Sequence, residues 1–263
     1  MSEEPVVLYE RRGPIAVATL NRPRYRNAQN SALLYALDRA FHDAAMDDEV
    51  RVIVLRGAGP SFSAGHDTGS PGRDVDVSYP RLTMWPDHVG KPAIEGRLSR
   101  ESELFMELCW RWRDLPKPTI AMVQGACVGG GLMLAWVCDL IVAADDAFFA
   151  DPAVQQGGAG VEWFAHAFQV GPRAAKELLF LGERMPADRA YALGMVNRVV
   201  PAAELEAAVM AIAERLAGMP PFGLRAAKRS INFAETAMGL RETIDHAFGW
   251  HQLVHAHNEA VPE

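Results

Sequence analysis

The chain has 263 residues, 49% hydrophobic and 22% charged, with a formal net charge of −7 at pH 7. That length supports one large domain, or a domain with a helical appendage, around a sizeable core. The acidic balance, without a Lys/Arg-rich block, argues against a nucleic-acid binder, and no apolar run of about 20 residues offers a membrane span.

The polar, acidic start Met1-Ser2-Glu3-Glu4-Pro5 shows no signal peptide. The three cysteines, Cys109, Cys127 and Cys138, have neither metal-type nor redox-type spacing and read as reduced thiols. The expected setting is the cytoplasm.

In chain order, Val6 to Tyr9 and Ile15 to Leu20 are β-rich runs around Arg12-Gly13-Pro14 and predict a hairpin. Ser31 is a candidate cap for a helix to about Met46, with Leu34, Leu37 and Phe41 on one face. Val52 to Leu55 is a short β-branched run suited to a strand buried on both faces. Thr68 to Gly96, rich in Gly, Pro and Asp, reads as a long mobile connection or lid. A helix is predicted from Ser99 to Asp114, then strands at Thr119–Val123 and Leu140–Ala143 on either side of Gly129-Gly130-Gly131. Beyond Ala174 the pattern turns helical, with a short extended piece at Val196–Val200 and two helices after Pro220-Pro221. Strand and helix alternate, which predicts an α/β fold with a helical tail.

Two strand-to-loop junctions carry the candidate chemistry. They are Ser61-Phe62-Ser63-Ala64-Gly65-His66-Asp67 and Gln124 through Gly131. Small residues let a ligand approach the main chain. The glycine run opens a predicted helix whose free N–H groups favour an anionic oxygen. Two such donors, from separate loops, could grip one carbonyl oxygen more tightly as charge develops on it.

Taken together with Asn21-Arg22-Pro23, Cys138-Asp139 and Ala192-Leu193-Gly194-Met195-Val196, these motifs resemble the crotonase superfamily (enoyl-CoA hydratase/isomerase family) in order and spacing over nearly the whole chain. The resemblance implies a crotonase-like spiral of strand–strand–helix units in residues 1–200, a C-terminal helical oligomerisation region in 201–263, and assembly into trimers or hexamers. It implies an acyl-CoA thioester as substrate, with coenzyme A entering as part of that substrate and no permanently bound cofactor. It assigns the oxyanion-hole amides to His66 and Gly130, with the His66 imidazole lying idle against solvent or coenzyme A. Coenzyme contacts map onto Arg24, Tyr25, Arg26, Ala64 and Asp67, with Lys228 a weaker candidate for a phosphate.

The chain departs from the family at both hydratase glutamates, whose positions hold Met133 and Ala153. Neither side chain exchanges a proton. Glu162, beside Trp163 and Phe164, is the candidate acid/base, approximately where some family members carry an active carboxylate, and it also reads as a helix-start residue. Asp151 suits turn shaping before Pro152 as well as chemistry, and Asp139 matches a generally structural position. His166 would share a helical face with Glu162. Trp85, His88, Met106 and Trp110 are candidates for an acyl pocket. His251, His255 and His257 sit on a helical-looking tail without other ligands nearby in sequence, so no metal site is expected.

Three readings stay open. The first is an acyl-CoA enzyme with an enolate-like intermediate: isomerisation, rearranged hydration, or C–C or thioester cleavage. The second is a non-catalytic acyl-CoA-binding protein. The third is a conventional hydratase whose acids stand in another register. The acyl group is not legible.

Overall fold

The computed structural model describes residues 4–261; residues 1–3 of the acidic start lie outside the described residues. Strands β1 (Val7–Arg12) and β2 (Ile15–Leu20) form the expected antiparallel hairpin. From β2 onward the sheet is parallel through β3 (Val52–Gly57), β4 (Thr119–Val123), β6 (Leu140–Ala144) and β9 (Arg198–Val200), in the order β1-β2-β3-β4-β6-β9. A second sheet, β5-β7-β8, joins β5 (Ala126–Val128), β7 (Phe148–Ala150) and β8 (Met185–Pro186). Neither β5 nor β7 is legible in the sequence, because three-residue strands carry no usable alternation.

Strand alternation divides the core. Ala16, Ala18, Leu20, Ile53, Leu55, Ala121 and Val123 face one side, packing with Leu33, Leu34, Leu37 and Phe41 of α1 (Ser31–Met46) and with Leu132, Met133 and Leu134 of α4 (Gly130–Trp136). Ile15, Val17, Val52, Val54, Ile120 and Val142 face the other and meet Leu205, Val209 and Ala213 of α8 (Leu205–Ala217). Both faces are covered, which is why these strands read as unbroken apolar runs. The boundary predicted at residue 201 therefore falls inside the core, since α8 closes the sheet's second face.

The cap of α1 is Asn30 rather than Ser31: the Asn30 side chain accepts from Leu33 N–H at 3.0 Å. The Asp74 carboxylate also accepts from Ser31 and Ala32 N–H, at 2.7 and 2.8 Å, and from the Tyr79 hydroxyl at 2.8 Å. So the predicted lid is anchored near its start, through Asp74, to a helix start, where a carboxylate is favoured.

The helix expected at Ser99–Asp114 begins earlier and changes pitch. α2 (Ala93–Glu101) runs into a π-helical turn, Ser102–Glu107, and then α3 (Leu108–Arg113). Wide turns of this kind cluster at functional sites because they re-aim side chains off the 3.6-residue period.

Short helices α5 (His166–Val170), α6 (Pro172–Leu181) and α7 (Ala187–Ala192) connect the sheets. The chain then closes with α9 (Pro221–Ala237) and α10 (Leu240–Ala260). Trp250 and Leu253 of α10 are 55% and 56% exposed, as expected from sequence, while His251 and Gln252 between them are buried. No described helix is long and apolar enough to cross a membrane, and Cys109, Cys127 and Cys138 are free and buried.

Candidate active site

The two predicted loops leave the carboxyl ends of β3 and β4 and meet. Ser63 N–H donates to Ala126 O, and Val128 N–H donates to Ser63 O. On the other side, Gln29 N–H donates to Gly65 O and Asp67 N–H to Gln29 O. That parallel bridge uses the peptide groups flanking His66 and turns its own N–H the other way. Gly129 N–H is spent on Ala150 O at 2.9 Å, and Gly130 opens α4. Among the described residues, neither His66 N–H nor Gly130 N–H donates a hydrogen bond. Both residues line one cavity of about 480 Å³.

Two glycines make this approach possible. Gly65 has φ +95°, and a Cβ there would stand 2.7 Å from Val128 O and 3.2 Å from Gly130 N. A Cβ on Gly130 would stand 2.6 Å from Cε1 of His66 and 2.8 Å from Gln29 Oε1. The imidazole thus packs directly on Gly130, with the Phe105 ring on the π-helical turn 4.1 Å away between centroids.

The imidazole is not idle. His66 Nε2 lies 2.8 Å from Glu162 Oε2, while its Nδ1 is buried without a partner among the described residues. This corrects the expectation of a side chain resting on solvent or coenzyme. Glu162 is buried and sits in a bend before α5, not at a helix start. Burial pushes its carboxyl upward, but the charge and hydrogen bond of His66, and then the charge of His251, outweigh burial and hold it below the ordinary range.

His166 does not join Glu162. It pairs with Asp151 instead, Nε2 to Oδ2 at 2.9 Å, both side chains enclosed. Asp151 also accepts from Ala153 and Val161 N–H. Its carboxylate therefore ties together the segment that carries Glu162.

The cavity's far wall comes from α2 and α10, and sequence reasoning missed it. Glu162 Oε1 lies 3.4 Å from His251 Nε2, which is 3.5 Å from Glu101 Oε2 and 3.0 Å from His255 Nε2. Burial lowers the affinity of His251 for a proton, yet the hydrogen bond with Glu101 and the nearby charges of Glu162 and Glu101 raise its pKa to about 9. Arg97 and Arg100 also line the cavity, each with a buried nitrogen lacking a partner among the described residues. The i, i+4 spacing of His251 and His255 was visible in sequence; that Glu101, some 150 residues away, faces them was not.

The remaining candidates divide. Ala64 and Asp67 line the cavity. Asp67 is engaged internally, 2.8 Å from Arg22 and bonded by Ser70. Arg24, Tyr25 and Arg26 are exposed beside the rim, since Ala64 N–H donates to Arg26 O at 2.9 Å. Lys228 lies elsewhere, paired with Asp139 at 2.8 Å. Trp85, His88, Met106 and Trp110 do not line the cavity; Trp110 packs edge-on against Trp163. Met133 is buried in α4 and Ala153 lines the cavity.

The family model described as enoyl-CoA hydratase/isomerase matches residues 10–77 and 96–259. The gap between the matched segments covers most of the anchored lid. A Mycobacterium tuberculosis protein named "Putative enoyl-CoA hydratase EchA13" is 46% identical over 250 residues, covering 93% of this chain and 78% of that protein. The short-chain-enoyl-CoA hydratase of Clostridium acetobutylicum is 33% identical, over 86% of this chain and 80% of that protein. Among solved structures, a "probable enoyl-CoA hydratase" from Mycobacterium thermoresistibile superposes with a TM-score of 0.88 at 44% identity, covering 98% of this chain and all of that one.

Proposed function

The chain belongs to the enoyl-CoA hydratase/isomerase family, and from that premise we propose that it binds an enoyl-CoA thioester and moves a proton next to the thioester carbonyl. The carbonyl oxygen accepts from the unspent N–H groups of His66 and Gly130. Those bonds strengthen as the oxygen gains enolate charge, which lowers the barrier to proton transfer. Glu162, held ionised beside His66, either takes a proton from one carbon of the acyl chain and returns it at another, or takes a proton from a water that adds at the β carbon and delivers it to the α carbon.

The observation that carries this reading is the conjunction in one cavity of two amides without acceptors and the buried Glu162 carboxylate paired with the His66 imidazole. The coenzyme is expected along the rim near Ala64, Arg24 and Arg26, where exposed guanidinium groups suit its phosphates.

Glu162→Gln keeps the shape and removes the proton acceptor. Turnover of the best substrate, chosen from enoyl- and dienoyl-CoA thioesters, is expected to fall by about 10²–10⁴. Coenzyme A affinity by calorimetry should stay near that of the parent. Undiminished turnover would remove Glu162 from the mechanism. Tight thioester binding without conversion in the parent chain would favour a binding protein, a reading that Met133 and Ala153 keep in play.

A further inference from the structure

The far wall of the cavity has the chemistry of a metal site. His251-Gln252-Leu253-Val254-His255 places two imidazoles at i and i+4 on α10, one turn apart on the same face. Their Nε2 atoms are 3.0 Å apart. Glu101 arrives from α2 with Oε2 at 3.5 Å from His251 Nε2. One ligand atom from each of the three lies within 4.8 Å of the others. Tetrahedral coordination with bonds of about 2.0–2.1 Å sets ligand atoms about 3.3 Å apart, close to the 3.0 and 3.5 Å separations that His251 makes with His255 and Glu101.

The surroundings match what metal ligands require. His251 Nδ1–H donates to Gly160 O at 3.0 Å, which leaves the Nε2 lone pair directed at the cluster in the neutral ring. Gln252 Nε2 donates to Glu101 Oε2 at 2.6 Å and orients the carboxylate. The 3.0 Å approach of the two Nε2 atoms requires a proton or a cation between them, and a bound metal would take the place of that proton. His251, His255 and Glu101 all line the cavity, so an ion has a way in. Arg97, 4.0 Å from Glu101, and buried Arg100 oppose a cation there, whereas Glu162 at 3.4 Å from His251 favours one.

We propose that Glu101, His251 and His255 form a binding site for one divalent first-row transition metal, of the zinc class, pinning α10 to α2 at the wall of the cavity. Three protein ligands with a position left open suit such an ion. The proposal is independent of the reaction assigned to Glu162, because occupancy can be measured without any substrate.

The test strips the intact chain with a chelator, dialyses it against Zn²⁺, and counts bound zinc by mass spectrometry. Co²⁺ substitution then reads the coordination through its visible d–d absorption. The parent is expected to hold one Zn²⁺ per chain and to give an intense, tetrahedral-type Co²⁺ spectrum. His255→Ala and Glu101→Ala should lose that binding, and Gln252→Ala should weaken it by about 10–100-fold. His257→Ala, on the same helix, should match the parent. Substoichiometric zinc in the parent, or parent-like binding by His255→Ala, overturns the site. So does an equal loss in His257→Ala. Should a variant misfold by circular dichroism, the parent's Co²⁺ spectrum decides: the weak absorption of hexa-aquo cobalt would refute the proposal by itself.

Discussion

Two histidine–carboxylate pairs border one cavity and have nearly the same geometry: Asp151–His166 at 2.9 Å and Glu162–His66 at 2.8 Å. Their surroundings differ. The first pair is the more enclosed: Asp151 borders the same cavity, but the side-chain exposures are 1% and 0% and both Asp151 oxygens also accept main-chain N–H groups. The second opens onto the cavity through an imidazole that is 25% exposed. A carboxylate whose acceptors are saturated by its own fold holds structure. One that faces a cavity with a single firm partner is free to exchange a proton with a ligand. Residue types and pairing distance do not separate these roles; enclosure does.

Substitution at each pair tests that contrast. The largest effect is expected at Glu162→Gln: about 10²–10⁴ in turnover, with a urea midpoint close to the parent's. Asp151→Ala should behave inversely, costing about 3–5 kcal/mol of stability because it leaves His166 and two amides enclosed without their partner. Chemical denaturation measures this, and a loss below about 1 kcal/mol would mean that Asp151 is not the brace described. His66→Ala keeps the amide but removes the group that aims Glu162. It should lower kcat by no more than about 10²-fold with KM little changed; a collapse of thioester affinity instead would assign the imidazole to substrate binding.

The smallest effect concerns a third buried pair, Arg22–Asp67, which locks the first loop to the segment before α1. Burial acts upward on the Asp67 carboxyl, but the Ser70 hydroxyl and amide and then Arg22 hold it below the ordinary range. A carboxyl lower in the folded state than its unfolded value of about 3.9 adds stability above that pH, and the gain disappears as pH falls through the folded value. Parent and Asp67→Asn should therefore differ in urea stability at neutral pH and converge in acid. A gap that persists unchanged at low pH would show that packing, not charge, accounts for the pair.

Much of the cavity's lining is legible in the sequence. The strand-end loops around His66 and Gly130 announce themselves through small residues after apolar runs, because close main-chain approach demands such residues at fixed places. Glu162 was singled out from the remaining acids by the family resemblance, which implies a carboxylate near this place, and its side chain does border the cavity. Its partner was not: the helical spacing to His166 was a reasonable expectation, but the segment bends at 161–163 and α5 begins only at His166. The π-helical turn that carries Phe105 was equally invisible, since a change of pitch leaves the apolar pattern nearly intact.

Sequence by itself determined the alternation of strands and helices, the two main-chain loops and the family, since each depends on local periodicity or on contiguous motifs. Tertiary structure alone decided which histidine–carboxylate pair is enclosed and which reaches the cavity through its imidazole, and brought Glu101 against His251 and His255. Those outcomes depend on how α2 and α10 pack, and side chains some 150 residues apart leave no local pattern that would announce their meeting.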